Sequence, residues 1–386
     1  MLHSLQAKLA STAFAFRGYN TTNLSRTPEL LEHAVYGRTM RRYLARASEV
    51  CERIAGRHVD LIDVVERREE PGLDRYAEAV ALIMAADLAQ VDMLEEFHGV
   101  RFRDAKLAYG YSLGELSAAS CAGVFSMDDV LSVPVAMAAD CAAMAGNVTM
   151  GVLFSRGPAI DENDVNRLCR LITSEGNGTI GLSAILTPNT FLLLGQNDTI
   201  GRFKAEMHKF LPDPAHIKLN PERWPPLHTP IVRQRHIPDR AAVMMEKMQG
   251  GLQPPYPPVL SLVTGEYSYD DYHARDILRD WVDHPQRLWD AVYETLSSGI
   301  TTVIHVGPGP NVIPATFTRL ADNVKQQTNG RTLGHMGLRA AAGLARRPWL
   351  SSLLPSRTAL LRAPHIRQIM LEDWLLENSP TAATKS

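Results

Sequence analysis

An α/β fold is what this 386-residue sequence predicts: a parallel-sheet core with a smaller βαββαβ subdomain inserted into it. Three observations carry that expectation. Buried-type strands are separated by helices in both halves of the chain, a sharp glycine-serine-glycine turn joins one such strand to a helix, and a block of alternating strand and helix patterns interrupts the series midway. With 45% hydrophobic and 21% charged residues the composition is that of an ordinary globular protein large enough to bury a core.

The first strand is expected near Ala13-Phe14-Ala15-Phe16, followed by amphipathic helices. The run Ala77 to Ala86 is apolar enough to lie flat against a sheet. Lys106-Leu107-Ala108-Tyr109 then enters the turn Gly110-Tyr111-Ser112-Leu113-Gly114, and Leu116 to Val124 leaves it as a small-residue helix. From about 147 to 212 the order is strand (Met150 to Phe154), helix (Val165 to Ile172), two strands (Thr179 to Leu186, Phe191 to Leu194) and helix (Ile200 to Phe210). A closing strand near Ile217-Lys218-Leu219 completes a ferredoxin-like βαββαβ unit. The core returns over 213 to 325, with strands near Val259 to Val263 and Thr302 to Val306. Residues 1–146 and 213–325 thus form the core, 147–212 the subdomain, and 326–386 a basic C-terminal extension. Between Asp322 and Glu372 there is no acidic residue, while arginines recur among apolar ones. Such a segment suits weak association with an anionic surface or an acidic protein partner.

The formal charge of -2 gives no reason to expect nucleic acid as a partner. Cysteines 51, 121, 141 and 169 have neither metal-ligand nor paired spacing and read as free thiols of a reducing compartment, so no metal site is expected. No signal peptide and no membrane-spanning stretch is visible, which makes a cytoplasmic location the default expectation.

The G-x-S-x-G turn has the form of a nucleophile elbow: its glycines allow the bend, and the bend presents the Ser112 hydroxyl at a helix N-terminus where free N–H groups can receive an oxyanion. Such a core is α/β-hydrolase-like. A serine nucleophile needs a base, and among 13 histidines His228 stands out in the loop-like Pro225-Pro226-Leu227-His228-Thr229-Pro230.

The longer string Gly110 to Val124, GYSLGELSAASCAGV, resembles the active-site segment of the malonyl-CoA:acyl carrier protein transacylases and the acyltransferase domains of fatty acid and polyketide synthases. Those enzymes usually carry histidine where Tyr111 stands. Pro226 to Pro230 resembles their catalytic-histidine segment, His305 to Pro310 their late valine-glycine-proline-glycine turn, and Phe16 to Asn20 occupies the place of their first loop.

The resemblance implies an acyltransferase with Ser112 as nucleophile and His228 as base. Its oxyanion donors would be the N–H groups of Leu113 and Tyr19. The histidine would be oriented by the Trp281 carbonyl, with the carboxylates of Asp280 and Asp283 as alternatives. It also implies acyl-CoA as substrate, phosphopantetheine on an acyl carrier protein as acceptor, and no tightly bound cofactor. Two other outcomes fit the same motifs: an editing acyl-thioester hydrolase, and a catalytically degenerate docking subunit of a polyketide or lipid assembly.

One departure concerns the acyl group. Family members selective for malonyl or methylmalonyl place an arginine in the helix after the elbow to pair with the free carboxylate. Here that position falls on Met137, and no Arg or Lys occurs between Lys106 and Arg156. Met137 and Leu227 are therefore expected to line an apolar site for acetyl or a longer uncharged acyl group, with Arg17, in place of the family's proline, as the alternative partner for a carboxylate.

Overall fold

The computed structural model describes residues 5–328 and 356–380. Strand β1 (Thr12–Phe16) is buried along its whole length, as the apolar run Ala13 to Phe16 requires. Helices α1 (Gly37–Ala55) and α2 (Tyr76–His98) follow, then strand β2 (Leu107–Gly110), helix α3 (Leu113–Cys121) and helix α4 (Met127–Ala145). The Ser126 side chain caps α4 by accepting from Asp129 N–H at 3.2 Å. Among the described residues the core sheet has the order β2-β1-β7-β8, where β7 is Thr302–Val306 and β8 is Arg367–Met370, and every pairing is parallel.

The period of two sorts the sheet's side chains to opposite faces. Phe14, Phe16, Ala108, Ile304 and Val306 join the core built on α1, α2 and α4. Ala13, Ala15, Leu107, Tyr109 and Val303 face a second core containing Leu288, Val292, Ile313 and Phe317. The result is a three-layer α/β sandwich, matching the predicted class.

The subdomain has its own sheet, with β3 (Val148–Ser155), β4 (Ile180–Thr187), β5 (Thr190–Gln196) and β6 (Ala215–Arg223) in the order β4-β5-β3-β6 and all pairings antiparallel. Helices α5 (Glu162–Ser174) and α6 (Thr199–Glu206) complete the ferredoxin-like βαββαβ order over a separate core including Val165, Leu168, Phe191 and Phe203. Because β6 runs to Arg223, the subdomain's sheet extends past the expected boundary at 212. Helices α7 (Leu288–Ser297) and α8 (Val312–Thr328) then flank β7, and α9 (Leu371–Glu377) follows β8.

Two expectations are corrected. Val259 to Val263 is not a strand: only a one-residue parallel bridge joins Val259 to Ala108. Pro257 and Pro258 lack the N–H a ladder needs, and beyond the bridge Ser261 Oγ–H and Leu262 N–H donate to the Glu115 carboxylate at 2.6 and 3.0 Å instead of to a strand. The segment 356–380, expected as part of a C-terminal extension outside the core, instead belongs to it, since Arg367–Met370 supplies the edge strand of the core sheet beside β7. There Arg362 is buried and donates to the carbonyls of Leu296 and Ile300. The remainder of the expected basic extension, 329–355 and 381–386, with its proposed surface association, lies outside the described residues. No described helix is long and apolar enough to cross a membrane.

Candidate active site

The elbow is shaped by close backbone approach. A Cβ at Gly110 would overlap the Gly114 carbonyl, and one at Gly114 would overlap the carbonyls of Phe16 and Arg17. Only glycine at both positions lets α3 start directly against β1 and β2. Between them Ser112 takes φ 55° and ψ -120°, a conformation that side chains rarely adopt and that the surrounding contacts must hold in place.

Ser112 Oγ lies 2.7 Å from His228 Nε2, although 116 residues separate them. His228 also has a positive φ, 64°, and is buried. Its Nδ1 lies 2.7 Å from the Trp281 carbonyl oxygen. A carbonyl only accepts, so Nδ1 carries the proton and Nε2 presents its lone pair to the serine hydroxyl, the tautomer a general base needs. Burial pulls the imidazole down to about 4, while the Trp281 hydrogen bond and the charge of Asp283 act in the other direction. The ring is neutral at physiological pH.

Of the three groups considered for orienting the histidine, the Trp281 carbonyl makes the contact. Asp283 is engaged by Arg233 Nε and His284 Nδ1 at 2.7 and 2.8 Å, and Asp280 by Arg279 Nε at 2.9 Å.

The two expected oxyanion donors belong to segments next to the nucleophile. Leu113 is the first residue of α3, and the next two N–H groups donate to Tyr111 O and Ser112 O. The loop carrying Tyr19 abuts the elbow, for a Cβ on Gly18 would come within 3.1 Å of Ser112 Cβ. Among the described residues neither the Leu113 N–H nor the Tyr19 N–H has a protein acceptor. The Tyr19 ring packs edge-on against Tyr76 and Trp224, with centroids 4.9 and 6.2 Å away. Burial pushes its phenol up to about 12, so the group stays neutral.

Beside the elbow a cavity of about 140 Å³ is lined by Tyr19, Tyr111, Met150, Leu192, Trp224 and Val312, with Asn20 and Asn311 as polar members and no charged side chain. Met150 and Leu192 come from the subdomain and Tyr111 from the core, so the cavity lies in the cleft between them.

Three sequence-predicted substrate contacts are placed differently. Met137 is 1% exposed and packed in the main core, and it does not line this cavity. Leu227 also belongs to that core. Arg17 is 1% exposed, and all five of its N–H groups are used. Nε donates to Gly18 O at 2.8 Å, the first terminal nitrogen to Pro308 O and Gly309 O, and the second to Thr22 O and Asn23 Oδ1. Arg17 therefore clamps the first loop to the late turn at 307–310 and has no donor left for an acyl carboxylate. Burial lowers its pKa to about 10, partly offset by Asp87, Glu372 and Glu70.

Glu115 likewise serves structure. It is fully buried, binds Ser261, Leu262 and the Tyr269 hydroxyl, and is pushed up to about 7 by desolvation. Sequence reasoning missed Trp224 in the cavity wall and Gln286, whose Oε1 accepts from Ser112 N–H at 2.9 Å. Nothing in the spacing around Gln286 marks it, because its role depends on a fold contact across 174 residues. Among the described residues no cluster of His, Cys, Asp and Glu is arranged to hold a metal ion.

No protein-family model matches the chain. The polyketide synthase GfsA of Streptomyces halstedii is 23% identical over 301 residues, 77% of this chain. The chain spans about 4% of the length of the curated relatives it matches. Solved structures overlay more extensively. The malonyl-CoA:acyl carrier protein transacylase of Xanthomonas oryzae pv. oryzae matches with a TM-score of 0.62 and 21% identity, covering 80% of this chain and 90% of that one. A malonyl-transacylase captured in complex with a type II polyketide acyl carrier protein gives 0.61 and 19%, covering 79% and 92%. The acyltransferase domain of module 8 of the salinomycin polyketide synthase gives 0.64 and 20%, covering 91% and 78%. These are the groups that the GYSLGELSAASCAGV segment resembles, and the chain has the fold of the malonyl-CoA:acyl carrier protein transacylases and polyketide synthase acyltransferase domains.

Proposed function

We propose that this protein is an acyl carrier protein S-acyltransferase that moves an uncharged acyl group from CoA to a carrier-protein phosphopantetheine thiol through an acyl-Ser112 intermediate. The observation that carries the reading is the Ser112 Oγ, His228 Nε2 and Trp281 carbonyl series, two 2.7 Å contacts in line, beside a cavity without charge.

In the first half-reaction Ser112 Oγ attacks the thioester carbonyl carbon as its proton passes to His228 Nε2. The carbonyl oxygen becomes an oxyanion facing the N–H groups of Leu113 and Tyr19, whose strength as donors comes from being fixed in place before the charge develops. When the C=O re-forms, the C–S bond breaks and CoA thiolate takes the proton from His228. In the second half-reaction the pantetheine thiol gives its proton to His228 and its sulfur attacks the acyl-serine ester. The Ser112 alkoxide leaves and is reprotonated by the imidazolium. Every proton is returned, and the chemistry needs no resident cofactor.

The acyl group is inferred from charge. Burying a malonyl carboxylate without a partner costs several kcal/mol. Arg17 has no free donor and Met137 supplies none. A cavity of about 140 Å³ is close to the size that holds one benzene-sized apolar molecule, about 150 Å³. It suits acetyl or a modestly longer chain. The test is intact-protein mass spectrometry after mixing with a panel of acyl-CoAs, followed by addition of a holo carrier protein. A Ser112 adduct discharged by carrier thiol supports the transferase; discharge by water at the same rate without carrier would make the protein a hydrolase, and no adduct with any acyl-CoA would sink the reading.

A further inference from the structure

One segment, 281–286, holds both members of the dyad. His228 donates from Nδ1 to Trp281 O at 2.7 Å and from its backbone N–H to Val282 O at 2.8 Å. The Trp281 indole N–H donates to Ser112 O at 2.9 Å, and Gln286 Oε1 accepts from Ser112 N–H at 2.9 Å. Ser112 is thus gripped at both polar atoms of its own backbone, which is what a residue at φ 55° needs to stay there.

Gln286 is fully buried, and its backbone is held by the subdomain. Its N–H donates to Ser183 O and its carbonyl accepts from Ile185 N–H, both at 2.8 Å, so the residue is bridged to β4 of the subdomain while its side chain reaches the elbow of the core. We propose that Gln286 is a positioning residue for acyl transfer at Ser112, tying the nucleophile's backbone to the subdomain and setting the polarity of the space beside the His228 ring. The inference rests on Ser112 and His228 being the reacting pair.

The orientation of the carboxamide follows from its partners. Ser112 N–H can only donate, so Oε1 must face it, and Nε2 is left 3.3 Å from His228 Nδ1. Since Nδ1 already gives its proton to Trp281 O, two donors face each other there and the amide's positive end points at the imidazole. That arrangement opposes a positive charge on the ring, and burial acts in the same sense. The other group acting on the ring is Asp283, which favours the charged form but is itself held by Arg233 and His284. A carboxylate in place of the Gln286 amide would instead accept from Ser112 N–H and stand beside Nδ1–H, favouring the imidazolium.

The test uses the full-length protein with three chains: wild type, Gln286→Glu and Gln286→Met. Ser112 acylation by acetyl-CoA is timed across pH by quenched-flow mass spectrometry, and the His228 ring is titrated by NMR. Gln286→Glu, nearly isosteric, is expected to raise the His228 titration and the acid limb of acylation together by at least about one pH unit. Gln286→Met, which cannot accept the Ser112 N–H bond, is expected to acylate about tenfold or more slowly at saturating acetyl-CoA with KM little changed, because Gln286 does not line the cavity. A wild type that never forms the adduct would overturn the acyl-transfer reading itself. A wild type that acylates, with Gln286→Glu unshifted in both titrations and Gln286→Met at the wild-type rate, would overturn the role of Gln286 alone.

Discussion

His228 Nδ1 stands 2.7 Å from the Trp281 carbonyl oxygen, and this single contact decides which ring nitrogen faces Ser112. A carbonyl orients the imidazole without adding the full negative charge of a carboxylate. The base is held in the proton-accepting tautomer while burial keeps it neutral.

The dyad acts as a unit. Ser112→Ala and His228→Ala are each expected to remove nearly all turnover, and the double variant to be little worse than either alone. Additive losses in steady-state transfer assays would mean that the two residues do not share one step.

The pH dependence follows from the sign of the His228 shift. Its pKa falls from an ordinary 6.5 to about 4, so the base is available down to acidic pH, and the acid limb of kcat/KM should lie near 4 instead of 6 to 7. Stability shifts the same way. Below about pH 6.5 the unfolded chain binds protons that folded His228, and His305 with its pKa near 3, refuse. Their contribution is complete above pH 6.5 and is lost as pH falls toward 4 and 3. Denaturant titrations at pH 7 and pH 5 should show the loss, and His305→Gln should reduce it.

Arg17 joins the first loop to the late turn through five N–H bonds, three of them buried. Arg17→Met leaves the carbonyls of Gly18, Thr22 and Pro308 unpaired and removes the positive charge near Asp87. The expected cost is about 3 to 5 kcal/mol of stability. Retained melting temperature together with a selective loss of malonyl transfer would return Arg17 to the role of substrate contact.

With no cation in the cavity wall, acetyl-CoA should acylate Ser112 faster than malonyl-CoA at equal concentration. Because Met137 sits in the core at 1% exposure, Met137→Arg is expected to destabilise the fold before it alters acyl choice. Strong malonyl preference in the wild type would contradict the uncharged-acyl reading.

Much of this site was legible because its parts are local. The elbow is contained in Gly110 to Gly114, and His228 and Trp281 lie in short segments whose neighbours resemble known motifs. The subdomain was readable from its succession of strand and helix patterns, because its central strands are short apolar runs buried on both faces and its first helix buries one apolar stripe. What escaped depends on contacts between distant segments. Arg367–Met370 looks basic and short in sequence and becomes a strand only because β7 offers it an edge. Val259 to Val263 has strand composition, yet past Leu260 the Ser261 hydroxyl and the Leu262 N–H are captured by Glu115. Arg17, which stands in place of the family's proline, offered an alternative partner for an acyl carboxylate, but its five carbonyl and amide partners, which make burial tolerable, lie as far away as residue 309. Gln286 carries no local signal at all.

The most direct measurement is the mass of the intact protein after a brief exposure to acetyl-CoA, with peptide mapping of the modified site and subsequent addition of holo acyl carrier protein. One acetyl group on Ser112, absent in Ser112→Ala, and its transfer to the carrier thiol are the expected result. An unmodified Ser112 with every acyl-CoA tested, in a protein shown to be folded, would contradict it.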